Sequence, residues 1–250
     1  MAGACAPALQ AESSVDETLF EATEEVQTVE KPVLSGIILP HHEMASQLIQ
    51  EAWAVALESE PDLIVLIGPD HPGLADHPLI WTEGTCVPLQ LLLSPLAEEW
   101  INAGIGGEAM VADHSIEIPL KYLPEEAREI PVLALTVPRG MDGEHIDRLV
   151  SEIQALSGSC LLVGSVDFSH GLVSETSQIR DEESISWIQA RDYSAIQNAG
   201  NEYFDTPEVL EILLRCCTGQ VDQIKRSDST AFGWSQSLPG TSYQVIEIQQ

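Results

Sequence analysis

Apolar residues in this chain come in short runs, and three of the runs stop at a histidine. Residues 36–39 lead through Pro40 to His41 and His42. Residues 63–67 lead through Gly68-Pro69-Asp70 to His71. Residues 161–166 lead through Asp167-Phe168-Ser169 to His170. Each run is short and continuously apolar, the pattern of a strand covered on both faces of a parallel sheet. Residues 130–137 form another such run, and residues 79–81 and 85–87 read as two shorter strands. Residues 242–248 alternate apolar and polar positions, which reads as a closing edge strand.

Between the runs the period changes to that of a helix. Met44, Leu48, Ala52, Val55 and Ala56 fall on one helical face, and the helix stops before Glu60-Pro61. Residues 96–103, 145–156, 185–198 and 207–216 read as further helices. Strand and helix alternate along the body. The expected fold is therefore α/β, a three-layer α/β/α domain with a mostly parallel or mixed central sheet. Residues 1–31 are acidic, rich in Ala, Ser, Thr and Glu, and lack a clear period. They read as a disordered leader, with a weak helix near residues 12–26 as the alternative, and the folded domain is expected over residues 32–250.

In open α/β sheets, ligands bind beyond the carboxyl ends of the strands. Three such ends bearing imidazole point to one shared site, and a metal is the simplest reason to gather them. A single histidine after a strand is more often a hydrogen-bonded loop residue, so the repetition carries the argument. Of the seven histidines, His145 reads as a helix-start surface residue and His77 as a polar-loop residue. His114 and Glu117 stand three apart in Asp113-His114-Ser115-Ile116-Glu117. If that segment is helical they share a face. The pair could orient a site, or Glu117 could serve only as the stabilising acid of a helix first turn. The sequence leaves both open.

Charge narrows the partners. Ten Lys and Arg against forty Asp and Glu give a formal charge of −30. Such a surface repels nucleic-acid phosphates and anionic lipid. Only Lys31, Lys121 and Lys225 are lysines, a balance that a salt-rich environment favours because salt screens self-repulsion. Five cysteines at irregular spacing, with no CxxC pair, do not read as a disulfide framework, and a cytoplasmic setting is expected. No apolar run is long enough to span a bilayer, and no apolar segment precedes Cys5 to make a signal peptide.

Four motifs now stand in order: Leu39-Pro40-His41, Ile67-Gly68-Pro69-Asp70-His71, Asp113-His114-Ser115-Ile116-Glu117 and Ser165-Val166-Asp167-Phe168-Ser169-His170. In this order they resemble the Memo family, also called AmmeMemoRadiSam system protein B, from about residue 33 to the C-terminus. That family is similar to the class III extradiol dioxygenases, in which two histidines and a residue of the C-terminal half hold a non-haem iron. In Memo proteins, iron or copper binding has been attributed to two histidines and a cysteine. The resemblance implies that His41 and His71 ligate the metal and that His170 moves a proton. Asp167 and Glu117 would support them. With its strand-end placement, His170 is also a candidate third ligand.

The segment 234–237, where the family's last ligand is expected, holds no cysteine. Cys217 lies upstream in Cys217-Thr218-Gly219, and Asp228, Glu117, His170 or water are the other candidates. The implied cofactor is a divalent or redox metal, iron foremost, with copper or zinc as alternatives. The family's second name implies a radical SAM protein as partner. Three functions follow: a redox-metal enzyme or accessory factor, a ring-cleaving dioxygenase, or a non-enzymatic module that binds a peptide or small molecule on the same fold.

Overall fold

A computed structural model of the protein describes residues 33–82 and 91–249. The expected leader and the expected strand at residues 85–87 lie outside the described residues. Nine strands form one sheet: β1 (Val33–Leu39), β2 (Leu63–Pro69), β3 (Leu79–Ile80), β4 (Gly107–Glu108), β5 (Val132–Val137), β6 (Ser159–Ser165), β7 (His170–Leu172), β8 (Val221–Asp228) and β9 (Gly240–Ile248). Their spatial order is β4-β3-β5-β2-β6-β1-β9-β7, with β8 also paired to β9. The centre, β5-β2-β6-β1, is parallel. β9 runs antiparallel to β1, so the sheet is mixed.

The apolar runs lie in this sheet because both of its faces are covered. Along β2, Leu63, Val65 and Ile67 pack into one apolar layer while Ile64 and Leu66 pack into the other. Helices α1 (Ser46–Ala56) and α3 (His114–Lys121) cover the second face. Helices α2 (Leu96–Asn102), α4 (Gly143–Gln154), α5 (Ser174–Ala190), α6 (Tyr193–Gln197) and α7 (Pro207–Cys216) cover the first. The result is the expected three-layer α/β/α arrangement. Fully burying one such Leu, Ile or Val is worth about 1.5–3 kcal/mol, so the two layers dominate stability.

Three elements differ from the sequence reading. α5 begins at Ser174, well before residue 185, and ends at Arg191, whose left-handed φ of 53° separates it from α6. Its inward residues include Ser177, Asp181 and Ser184, which are buried in a polar network, so no apolar stripe marks it. β8 is polar along most of its length because it is exposed or half-buried between its two buried ends. β9 is not an edge strand: it is flanked by β8 on one side and by β1 and β7 on the other, and is buried over most of its length.

Candidate metal centre

β1, β2 and β6 are parallel neighbours, so their carboxyl ends share one edge of the sheet. His41 and His71 emerge there, from β1 and β2. The third imidazole is His114, the first residue of α3. One nitrogen from each of the three lies within 4.8 Å of the others. Ring centroids are 5.0 Å apart for His41 and His71, 5.3 Å for His41 and His114, and 3.9 Å for the stacked pair His71 and His114. Among the described residues this is the one group of His, Cys, Asp or Glu gathered so closely. Ligands around a zinc ion at about 2.0–2.1 Å sit roughly 3.0–3.4 Å apart, so small ring movements would close the three on an ion.

α3 is brought to the edge by local sequence. Asp113 caps the helix, accepting the Ser115 N–H at 2.9 Å. The same carboxylate accepts the His71 backbone N–H at 2.9 Å and the His71 Nδ1–H at 2.8 Å. Ser115 Oγ donates to the Pro69 carbonyl at 2.9 Å. This approach needs Gly68, because a Cβ there would come 2.6 Å from Ser115 Oγ. On the loop after His71, the Asp70 carboxylate accepts the backbone N–H groups of Gly73 and Leu74.

Hydrogen bonds fix which nitrogen each ring presents. Pro119 has no N–H to give the Ser115 carbonyl four residues back, as a helix interior otherwise requires. Ser165 Oγ donates to that carbonyl at 2.5 Å instead. With its proton committed, Ser165 Oγ accepts from His41 Nδ1 at 3.1 Å. His41 Nε2 therefore faces the cluster. His71 gives its Nδ1–H to Asp113 and likewise turns Nε2 to the cluster. Holding a ring by its second nitrogen in this way is how metal-ligating histidines are oriented. The chemistry of the donor set therefore fits a divalent metal ion: His41, His71 and His114 would hold it.

The surrounding charges follow. Burial alone would depress the His41 pKa, but the Asp167 and Asp205 carboxylates outweigh it and hold the ring up at about 9. Asp205 Oδ2 is 3.1 Å and Asp167 Oδ2 3.9 Å from His41 Nε2. Burial would raise Asp113, but its hydrogen bonds from His71 and from backbone N–H groups bring it down to about 2. Burial and the neighbouring imidazoles lower His114, favouring the neutral ring that ligation needs.

The expected site residues divide accordingly. His41 and His71 come together. His170 does not join the cluster: it opens β7, its N–H bonds the Asn201 carbonyl, and its buried Nδ1 has no hydrogen-bond partner among the described residues. The chain turns away after Asp167 to pair with β9, which carries His170 off the strand edge. Asp167 is at the site, but it accepts the His41 backbone N–H at 3.0 Å instead of a ring N–H. Glu117 sits in the first turn of α3, hydrogen-bonds none of the three histidines, and is raised by burial and by Asp113.

Two of the other third-ligand candidates are occupied elsewhere. Asp228 accepts from Ser174 and caps the turn at Thr230. Cys217 Sγ packs against Gly36, inside β1 and five residues before His41. Extended chain of that length spans about 16 Å, so the thiol is far from the imidazoles. Burial pushes that thiol up to about 12. Asp113, Ser165 and Asp205 are the residues the sequence reading left without a role. Asp113 and Ser165 stood inside quoted motifs, whereas nothing in sequence marked Asp205.

The family profile described as Memo-like protein matches residues 2–210. A MEMO1 family protein of Saccharolobus solfataricus is 26% identical over 156 residues, covering 58% of this chain and 55% of the relative. Another, from Methanopyrus kandleri, is 26% identical over 175 residues, covering 64% and 61%. The matched part of the chain thus spans little more than half the length of these curated relatives. An uncharacterized Escherichia coli K12 protein of known crystal structure shares the fold, with a TM-score of 0.55 at 15% identity, covering 84% of this chain and 98% of that one.

Proposed function

The chain belongs to the Memo family, the AmmeMemoRadiSam protein B family, and from that premise we propose that it is a metal-dependent protein whose working centre is His41, His71 and His114. The observation that carries this is the shared orientation of His41 and His71. His41 has one ring nitrogen engaged by Ser165 and His71 has one engaged by Asp113, and each turns the other towards His114. Iron is the metal we infer first, with zinc or copper as alternatives. A bound ion would supply Lewis acidity and, if iron or copper, one-electron chemistry. Asp113, Asp167 and Ser165 hold the imidazoles in place. His170, with an unused buried nitrogen, is the residue we assign to proton transfer.

The role we favour is a redox enzyme or accessory factor that acts with a radical SAM protein, a partner supported by the family's second name. Ring-cleavage dioxygenase activity is the second reading. It is favoured by a cavity of about 220 Å³ lined by His42, Met44, Gly171, Trp234 and Tyr243, next in chain to His41 and roomy enough for a small ring.

Metal analysis tests the central claim. Protein purified without chelators and reconstituted with Fe(II), Zn(II) or Cu(II) should hold one ion per chain. His41→Ala and His71→Ala should each lose it while keeping the far-UV circular dichroism of the parent. His170→Gln should keep the metal and lose turnover. A parent protein that retains none of the three metals would overturn the reading and favour a non-enzymatic binding module. Oxygen uptake with catechols tests the dioxygenase reading.

A further inference from the structure

We propose that Asp205 is the anionic ligand of this centre, giving a thiol-free set of three imidazoles and one carboxylate. The inference rests on the metal-centre reading above.

Asp205 lies between α6 and α7, and its backbone is held in place. Its N–H donates to the Asp167 carbonyl at 3.1 Å. Its own carbonyl accepts from Arg139 at 2.6 Å, and Arg139 also reaches the Ala199 carbonyl at 2.9 Å. Phe204 bridges Phe168 through the backbone, and their rings meet edge to face at 6.1 Å. Pro207 then starts α7, whose inner face is buried throughout.

The side chain so placed is nine-tenths buried, with 10% of its surface exposed. Oδ2 accepts the Asp167 N–H at 3.2 Å and lies 3.1 Å from His41 Nε2, the atom that faces the cluster. Oδ1 is buried and has no hydrogen-bond partner among the described residues. A buried side-chain oxygen left without a hydrogen bond is costly, so such atoms call for a partner. A separation of 3.1 Å between a nitrogen and an oxygen is what neighbouring ligands of one small ion show, roughly 3.0–3.4 Å at ~2.0–2.1 Å from the metal. Without metal, Oδ2 accepts a hydrogen bond from His41 Nε2–H. With that proton displaced, an ion held by the imidazoles would draw in the carboxylate, which lies outside their 4.8 Å group, by rotation of the Asp205 side chain.

Two consequences follow for selectivity. The carboxylate adds the negative charge that three neutral imidazoles lack. Nitrogen and oxygen donors favour Zn(II), Fe(II) and Mn(II) over Cu(I), which wants thiolate. Cys217 cannot supply one, since it is buried beside Gly36 inside β1.

The test compares the parent protein with Asp205→Asn and Asp205→Glu, each stripped with chelator and titrated with Zn(II) and Co(II). Asp205→Asn keeps the size and an oxygen for the Asp167 N–H but loses the charge. It should weaken Zn(II) binding by at least ~100-fold, beyond the ~10–100-fold typical of residues that only orient a ligand. It should also change the visible d–d bands of any Co(II) it still binds, and Asp205→Glu should recover part of the affinity. Metal-free melting temperatures within a few degrees of the parent would show that the fold is kept. Parent protein that binds neither ion would overturn the metal-centre reading and this inference with it. Parent protein that binds, with Asp205→Asn matching it in affinity and cobalt spectrum, would overturn the Asp205 inference alone. A sulfur-to-cobalt charge-transfer band in the parent would overturn the thiol-free set.

Discussion

His41 concentrates the chemistry of the molecule in one side chain. It is buried, yet its charged form is favoured, because burial is outweighed by Asp167 and Asp205 and its pKa stands at about 9 against 6.5 for a free imidazole. At neutral pH the metal-free ring therefore carries a proton, and an ion must displace it. The same shift makes a stability prediction. A histidine whose folded pKa is raised adds stability that is complete below about pH 6.5 and is lost as pH rises through about 9. A change of that size is on the order of 3 kcal/mol. Urea denaturation of chelator-treated protein at pH 6, 7.5 and 9.5 should show it as the gap between parent and His41→Gln. The gap should be widest at pH 6 and narrow towards pH 9.5. A gap that stayed constant or grew with pH would mean that His41 is not held as a cation by its two carboxylates. Asp205 shows what the sequence concealed at this scale. His41 and His71 announce themselves by following apolar runs, but Asp205 sits in the polar stretch Gly200-Asn201-Glu202-Tyr203-Phe204-Asp205 and acquires its role only when β6 and α7 meet.

At the scale of elements, the site depends on how closely α3 docks on β2. Gly68 has no Cβ to hold Ser115 away, and Pro119 leaves the Ser115 carbonyl open to Ser165. The Ser115 carbonyl of α3 thus orients the His41 ring at the end of β1 through the Ser165 hydroxyl of β6. Gly68→Ala should therefore act on the centre without touching a ligand. Its Cβ would meet Ser115 Oγ at 2.6 Å and Ser115 Cβ at 2.8 Å, so the start of α3 must move outward, taking His114 with it. Overpacking of this kind costs roughly 1–3 kcal/mol. The expected outcome is a folded protein with a lower melting temperature and a metal affinity reduced by at least tenfold. Unchanged metal affinity would show that the α3 position is not critical. The same comparison explains what could be read from sequence. Strands β1, β2, β5 and β6 are buried on both faces and so read as plain apolar runs. α5 turns Ser177, Asp181 and Ser184 inward, where Asp181 meets Ser242 at 2.7 Å and Arg226 at 2.7 Å, and a polar interior leaves no apolar period to find. The sequence offered His114 only as a residue that could orient a site with Glu117, and gave the third imidazole to His170. Placing His114 at the centre required knowing that Asp113 both caps α3 and holds His71.

At the scale of the whole molecule, charge decides how the fold responds to its solvent. Forty acidic residues face ten Lys and Arg, leaving thirty acids without a cationic partner even if every cation is paired. Among the described residues, most of the cations are already engaged with acids or with carbonyls, among them Lys121 with Glu43, Lys225 with Glu51, Arg215 with Glu211 and Asp147, and Arg191 with the Leu214 and Gly219 carbonyls. Salt acts on both populations with opposite sign. It weakens the surface pairs, each worth about 0–1 kcal/mol, and it relieves repulsion among the unpaired acids. Because the unpaired acids outnumber the pairs, relief should win. The screening length falls from about 10 Å at 0.1 M to about 3 Å at 1 M, so most of the gain should come below 1 M. The melting temperature should therefore rise steeply with KCl up to about 1 M and more slowly beyond. Chloride salts of potassium, sodium and choline should act alike over the steep part, since screening depends on ionic strength and not on the identity of the cation. A melting temperature that is flat or falls between 0.1 and 1 M would show that the surface pairs govern. A rise seen with potassium but absent with choline would point to specific cation binding in place of screening.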